Sequence, residues 1–253
     1  MVSEFVKRNP NAPDGFFALE AAGLAWLASA GGVPCADVLA HDATSLTLRR
    51  LDSARPTSEA AHEFGMRLAR THDAGAPAFG VGPDGWSGDG FFGPRSQPLP
   101  MSLAGHDSWG EFYADERLAP MAALAEPRLS DSTRRRVDEV ISRCRAGDFD
   151  DADQPARLHG DLWSGNVMWT PDGVVLIDPA AQGGHRETDL AMLALFGCPH
   201  LSEVLAGYQS VHRLRDGWEG RIGLHQLYPL LAHVVLFGGS YAAQADAAAA
   251  SAS

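Results

Sequence analysis

The stretch LHGDLWSGNVMW, residues 158–169, sets His159, Asp161 and Asn166 on one short segment broken by Gly160 and Gly165. An acid followed five positions later by an amide is the H-x-D-x-x-x-x-N pattern of a phosphoryl-transfer loop. In that pattern the acid accepts the proton of an attacking hydroxyl, and the amide holds a metal ion on the nucleotide phosphates. The spacing has a mechanical reason: the acid at the loop's start faces the acceptor, and the amide sits where the chain re-enters a strand.

Outward from this loop, Val167-Met168-Trp169, the turn Thr170-Pro171-Asp172-Gly173 and the apolar run 174–177 read as a β-hairpin. Asp178, twelve positions beyond Asn166, ends its second strand. A carboxylate there lies across the hairpin from Asn166, so the two can share Mg²⁺, a hard cation that takes oxygen ligands. The phosphotransferase template has D-F-G at this place. Here Asp178-Pro179-Ala180 keeps the acid and loses the hinge-like glycine, which argues against a flipping activation segment. Asp161, with a reference pKa of ~3.9, is expected to be ionised at neutral pH. His159 reads as structural, bonding loop backbone, and Trp163 suits a core position and a substrate wall equally.

Other chemistries fit less well. Ser164 is not in G-x-S-x-G, because Leu162 holds the first glycine's place, and no H-E-x-x-H accompanies His159. Gly88-Asp89-Gly90-Phe91-Phe92-Gly93 matches G-x-G-x-x-G literally, but Pro94 and Gln97-Pro98-Leu99-Pro100 follow it where a dinucleotide site needs a helix. It reads as a shaped loop touching substrate.

Residues 5–7 look like a strand. Asp14 is placed to cap a helix in which Phe16, Leu19, Gly23, Trp26 and Leu27 recur until Gly31-Gly32. A strand carrying Leu46 and Leu48 and a helix over 57–73 follow, and 75–100, rich in Gly and Pro without a period, reads as a loop or linker. Helices are expected over 109–125 and 130–146, then from about 186, 201 and 218. Trp109, Tyr113, Trp218 and His225 read as core.

The chain has 253 residues and a net charge of −12, with no basic cluster longer than Arg134-Arg135-Arg136, so nucleic acid is excluded as a partner. Three cysteines, Cys35, Cys144 and Cys198, suit reduced thiols in a cytoplasmic protein. No leader-like run or membrane-spanning segment is present in the sequence. The last residues, AAQADAAAASAS, read as a low-complexity frayed end or tail.

On LHGDLWSGN, IDPA and GHRETDLAMLALFG, supported by FVKRN, EAAGLAWL, PAFG and SWGEFY, the chain resembles the fructosamine kinase (ketosamine-3-kinase) family, relatives of aminoglycoside and choline kinases. The resemblance runs from Phe5 to about Gln244. It implies an α+β, bilobal protein-kinase-like fold: a small mixed nucleotide lobe over 1–54, a larger, mainly helical catalytic lobe over 55–245, and the tail 246–253. It implies ATP and Mg²⁺, phosphorylation of the 3-hydroxyl of a ketosamine or glycated amine, Asp161 as base, and Asn166 and Asp178 as metal ligands. Lys7 would hold the α/β-phosphates with Glu20 as its helix partner, and the strand end 49–52 would be the adenine hinge. Trp163, His185 and Glu187 are candidate substrate contacts; Glu187 and Asp189 suit helix-dipole complementarity as well as propping of the loop. An aminoglycoside or amino alcohol acceptor, or a non-catalytic binding module, stands as the alternative. The family's glycine-bearing flap precedes its lysine, but only six residues precede Lys7, so the small lobe is expected to be N-terminally truncated.

Overall fold

Residues 3–252 are described in a computed structural model of the chain. The first lobe is β1 (Glu4–Arg8), α1 (Phe16–Ser29), β2 (Val38–His41) and β3 (Ser45–Arg49). Its antiparallel sheet has the order β1-β3-β2, with Lys7 opposite Leu46. Central β3 buries Leu46 and Leu48 as their alternation predicts, because side chains two apart share a face. Helix α1 is apolar nearly all round, and Phe17, Leu24, Trp26 and Leu27 are all buried. Its cap differs from expectation: Gly15, at φ +81°, takes the N-cap position with no side-chain bond, and Asp14 does not. The left-handed turn excludes a side chain there, since a Cβ on Gly15 would lie 3.0 Å from the Trp86 ring.

Helix α2 (Ser58–Asp73) follows, capped by Thr57, whose hydroxyl accepts from the Ala60 amide at 3.2 Å. The region read as an unstructured linker instead holds β4 (Gly90–Phe92) and β5 (Leu99–Met101), an antiparallel hairpin. The second glycine of the G-x-G-x-x-G decoy thus opens a strand. A Cβ there would stand 3.1 to 3.3 Å from the side-chain ends of Leu19, Met101 and Leu103, which pack closely over the glycine. Next come α3 (Trp109–Phe112), a π-helical turn over Tyr113–Leu118, α4 (Ala119–Ala125) and α5 (Asp131–Arg145). Strands β6 (Ala156–Leu158), β7 (Val167–Thr170), β8 (Gly173–Leu176) and β9 (Gln182–Gly184) frame the loop quoted above. Strand β6 pairs with β9 and β7 with β8, the expected hairpin. Helices α6 (Glu187–Leu195), α7 (Leu201–Val211), α8 (Trp218–Phe237) and α9 (Tyr241–Ser251) complete the chain.

Residues read as a low-complexity tail are therefore helical through Ser251, with Ala245, Ala248 and Ala249 buried against α8 and α5; Ser253 lies outside the described residues. Small side chains let α9 come close, which composition alone does not reveal. The lobes are stitched together by backbone. The Leu176 amide donates to Pro34 O at 2.8 Å and the Ala36 amide to Leu176 O at 3.0 Å. Cys35, Cys144 and Cys198 are free thiols, and burial pushes them up to about 12, about 12 and about 11. No helix among the described residues is long and apolar enough to cross a membrane.

Helices α2 and α7 touch backbone to backbone through Gly65 and Gly207. A Cβ on Gly65 would stand 1.9 Å from Val204 O, and one on Gly207 1.9 Å from His62 O. Neither contact can be relieved by a rotamer change, so the helices would have to separate. Gly65→Ala is expected to lower unfolding free energy by about 2 kcal/mol or more, read as a reduced urea midpoint; an unchanged midpoint would show that the crossing is loose.

Candidate active site

Strand β6 delivers the chain into His159-Gly160-Asp161, and one buried carboxylate holds the turn. The His159 amide donates to Asp189 Oδ2 at 2.8 Å and the Gly160 amide to Oδ1 at 3.0 Å. Asp189 lies in the first turn of α6 and is 1% exposed. Burial alone would raise its pKa, but the hydrogen bond from His72 and the loop amides leave it below the usual carboxylate range. The alternatives of dipole complementarity and loop support are thus decided for Asp189: it supports the loop. His159 is structural, as expected. Its Nε2 donates to Ile177 O at 2.9 Å and its Nδ1 accepts from the Asp161 amide at 3.2 Å, a neutral tautomer that suits a ring whose pKa burial lowers. Gly160, at φ +79°, leaves room for Ala180 O, 2.1 Å from where a Cβ would sit.

A short 3₁₀ turn, Ser164–Asn166, folds the amide back onto the acid. Asn166 Nδ2 donates to Asp161 O at 2.8 Å, Asp161 Oδ2 at 3.1 Å and Asp178 O at 3.4 Å. Three acceptors fix which end carries the hydrogens, and Asn166 Oδ1 makes no hydrogen bond among the described residues. Asp178 stands at φ +54° just past β8, with its side chain 46% exposed. Its carboxylate pairs with Lys7 Nζ, which also bonds Glu20 Oε1 at 2.5 Å. Lys7 and Glu20 are both buried, and burial raises the Glu20 pKa against the pull of the Lys7 ammonium. Asp178 reaches this pair because Gly23 on α1 admits Pro179 and Ala181, 3.3 and 3.2 Å from an imagined Cβ.

Asp161 differs from the expectation of an ordinary carboxylate. Burial, opposed by the Asn166 hydrogen bond and assisted by the charges of Asp178 and Asp189, pushes its pKa up to about 8.

Lys7, Glu20, Asp161, Trp163, Asn166 and Asp178 all line one cavity of about 690 Å³. Its other walls are Phe91 to Arg95 from the β4–β5 hairpin, the first three of them from the loop read as touching substrate, and, not foreseen, Phe196 after α6 with His233, Phe237 and Tyr241 at the joint of α8 and α9. Trp163 is 41% exposed, lies over Gly165, and meets Phe196 edge-on at 6.2 Å, so it is a wall and not core. Oxygen donors from Asn166 and Asp178 beside a lysine suit a hard divalent cation carrying phosphate oxygens better than a soft metal. The strand end 49–52 does not line this cavity.

His185 and Glu187 also lie elsewhere. Both are buried with His225, and the ligand atoms of the three fall within 4.8 Å of one another. Arg221 takes both Glu187 oxygens, at 2.8 and 2.6 Å, and His185 Nδ1 accepts from the Glu187 amide at 3.2 Å. The cluster is satisfied internally, with Trp109 stacked on Tyr113 beside it. Burial would raise the Glu187 pKa, but the Arg221 fork and His225 hold it down at about 2. Burial lowers His225 to about 4. The structure does not bring these two residues to the cavity; the Arg221–Glu187 fork ties α6 to α8.

An unfolded histidine titrates near ~6.5, whereas buried His225 takes its proton only near about 4, and burial lowers His72 and His159 in the same direction. Between these values the unfolded chain binds more protons, so stability falls as pH falls. The advantage of wild type over His225→Gln in urea midpoint is expected to shrink as pH drops from about 7 to about 4; a constant gap would show that His225 is not held neutral.

The model of the fructosamine kinase family matches residues 2–251. "Probable ketoamine kinase" of Enterococcus faecium is 33% identical over 245 residues, 96% of this chain and 84% of that protein. A crystal structure of a candidate fructosamine-3-kinase from Thermobifida fusca is 45% identical with a TM-score of 0.90, covering 99% of this chain and 85% of that one. An aminoglycoside phosphotransferase solved with gentamicin, at 14% identity and a TM-score of 0.60 over 98% of this chain and 84% of its own, shares the protein-kinase-like α+β fold alone. Matched over nearly its whole described length, the chain belongs to the fructosamine kinase family of ATP-dependent phosphotransferases.

Proposed function

We propose that the chain transfers the γ-phosphoryl group of ATP to the 3-hydroxyl of a ketosamine, a fructosamine or other glycated amine. The convergence of Asp161, Asn166, Asp178 and Lys7 on one cavity carries this reading, and the ketoamine kinase relatives support the acceptor class. Lys7, steadied by Glu20, binds the α/β-phosphates. Asn166 Oδ1 and the Asp178 carboxylate would hold Mg²⁺, which would supply charge neutralisation to the phosphate oxygens. The acceptor hydroxyl lies against Asp161, its oxygen bonds to the γ-phosphorus as the bond to the β-phosphate oxygen breaks, and its proton passes to the Asp161 carboxylate. Trp163 presents an aromatic face to the acceptor beside Asp161. Three unpaired thiols suit a reducing, cytoplasmic setting.

Coupled ADP detection on a panel of ketosamines, aminoglycosides and amino alcohols tests the acceptor; an amino alcohol or aminoglycoside preferred over every ketosamine refutes it. Asp161→Asn is expected to lower kcat by roughly a thousandfold while Mg-ATP affinity, measured by calorimetry, stays within about twofold. Full turnover would remove the assigned role. Because Asp161 must lose its proton to act, and that proton is held up to about 8, activity at low nucleotide should climb as pH rises toward about 8. An acid limb at the ordinary carboxylate value would show that burial does not govern this group.

A further inference from the structure

The hairpin β4–β5 is a charged part of the cavity wall with no place in the scheme above. Its tip is a tight turn in which the Gln97 amide donates to Pro94 O at 2.9 Å, leaving Arg95 and Ser96 at the central positions. A surface arginine on a loop is ordinarily just solvated. This one is held in place from both lobes. Asn9, one residue past β1, donates from Nδ2 to Arg95 O at 2.8 Å. Phe91 meets Phe16 of α1 at 5.5 Å, and Phe92 meets Tyr228 of α8 at 4.9 Å. The tip therefore spans the cleft and sets Arg95 on the cavity wall.

The charge inventory of the cavity gives that position a meaning. Its walls carry Glu20, Asp161 and Asp178 against Lys7 and Arg95. Lys7 is already shared by two of those carboxylates. His233 is kept neutral, since burial lowers its pKa. The Arg95 guanidinium has no hydrogen bond or ion pair among the described residues. A nucleoside triphosphate brings more negative charge than one divalent ion neutralises. One uncommitted cation remains to meet it.

We propose that Arg95 binds the polyphosphate of the nucleotide, the hairpin tip closing over it from the side opposite Lys7. This rests on the kinase reading and adds a residue to it. Phosphate is favoured over an anionic group on the acceptor by location: the Arg95 backbone is held by Asn9, two residues past Lys7, and its hairpin packs Phe91 on Phe16 of the helix that carries Glu20. A planar fork of donors matches phosphate oxygens in a way that a lysine ammonium does not.

Calorimetry with Mg-ATP, Mg-ADP and adenosine on wild type, Arg95→Ala and Arg95→Lys tests this without knowledge of the acceptor. Arg95→Ala is expected to weaken Mg-ATP by about tenfold, with a shallower salt dependence, and to leave adenosine unchanged, since a charge-assisted contact is lost and nothing else. Arg95→Lys should recover part of the loss. Equal Mg-ATP affinity in wild type and Arg95→Ala overturns the assignment and leaves the kinase reading standing. A wild-type protein giving no heat with Mg-ATP sinks the kinase reading itself, and the assignment with it.

Discussion

The Asp189 carboxylate is the point on which the site hangs. It is buried, it accepts from two successive loop amides, and it is itself bonded by His72 Nε2 at 3.2 Å, whose Nδ1 in turn meets the Tyr208 hydroxyl at 2.8 Å. Hydrogen bonds to a charged acceptor are worth roughly 1.5–3 kcal/mol each. Without such partners, a buried carboxylate would take a proton or leave the interior. Burial holds His72 neutral, so the arrangement is one fixed charge surrounded by donors. That charge reaches from α6 to the loop, and through His72 and Tyr208 to α2 and α7. The turn carrying Asp161 is thus tied to the packing of three helices, and its geometry does not depend on a ligand.

How far the sequence revealed this depended on how local each feature was. The H-x-D-x-x-x-x-N loop, the hairpin after it and Asp178 were legible because their partners lie within twenty residues, and the turn chemistry of Thr170 to Gly173 is written in consecutive letters. The helices 58–73 and 131–145 were legible through their caps and one-sided burial. The β4–β5 hairpin was not, since strands of three residues have no period, and what holds Gly90 is Leu19, seventy-one positions away. Helix α9 was missed because alanine and serine look alike in a disordered tail and in a close helix contact. The Asp161 pKa could not be read at all: it comes from burial, a property of the assembled cleft. Nor was the placing of His185 and Glu187 away from this cavity legible, because the partner that takes up the carboxylate, Arg221, is thirty-four positions from Glu187.

Lys7 shows how the two lobes depend on each other electrostatically. Its ammonium is buried in the smaller lobe, yet one of its two carboxylates, Asp178, comes from the hairpin of the larger one. Glycine at position 23 makes this possible by letting the Asp178-Pro179-Ala180 segment lie against α1. The backbone bonds between residues 34–36 and Leu176 run beside it, so the lobes meet through a hydrogen-bonded seam and a shared ion pair and not through a hinge of loose chain.

The three thiols mark this architecture from within. Cys144 sits in the apolar core under α8 and α9, Cys198 in the core between α2 and α7, and Cys35 at the seam between the lobes. Burial keeps all three protonated and therefore poorly nucleophilic. Cys144 and Cys198 are buried and can react with an alkylating reagent only when their own surroundings open, so the rates of native-state thiol labelling at 144 and 198 would report separately on the local unfolding of each core, beside the half-buried Cys35 at the seam.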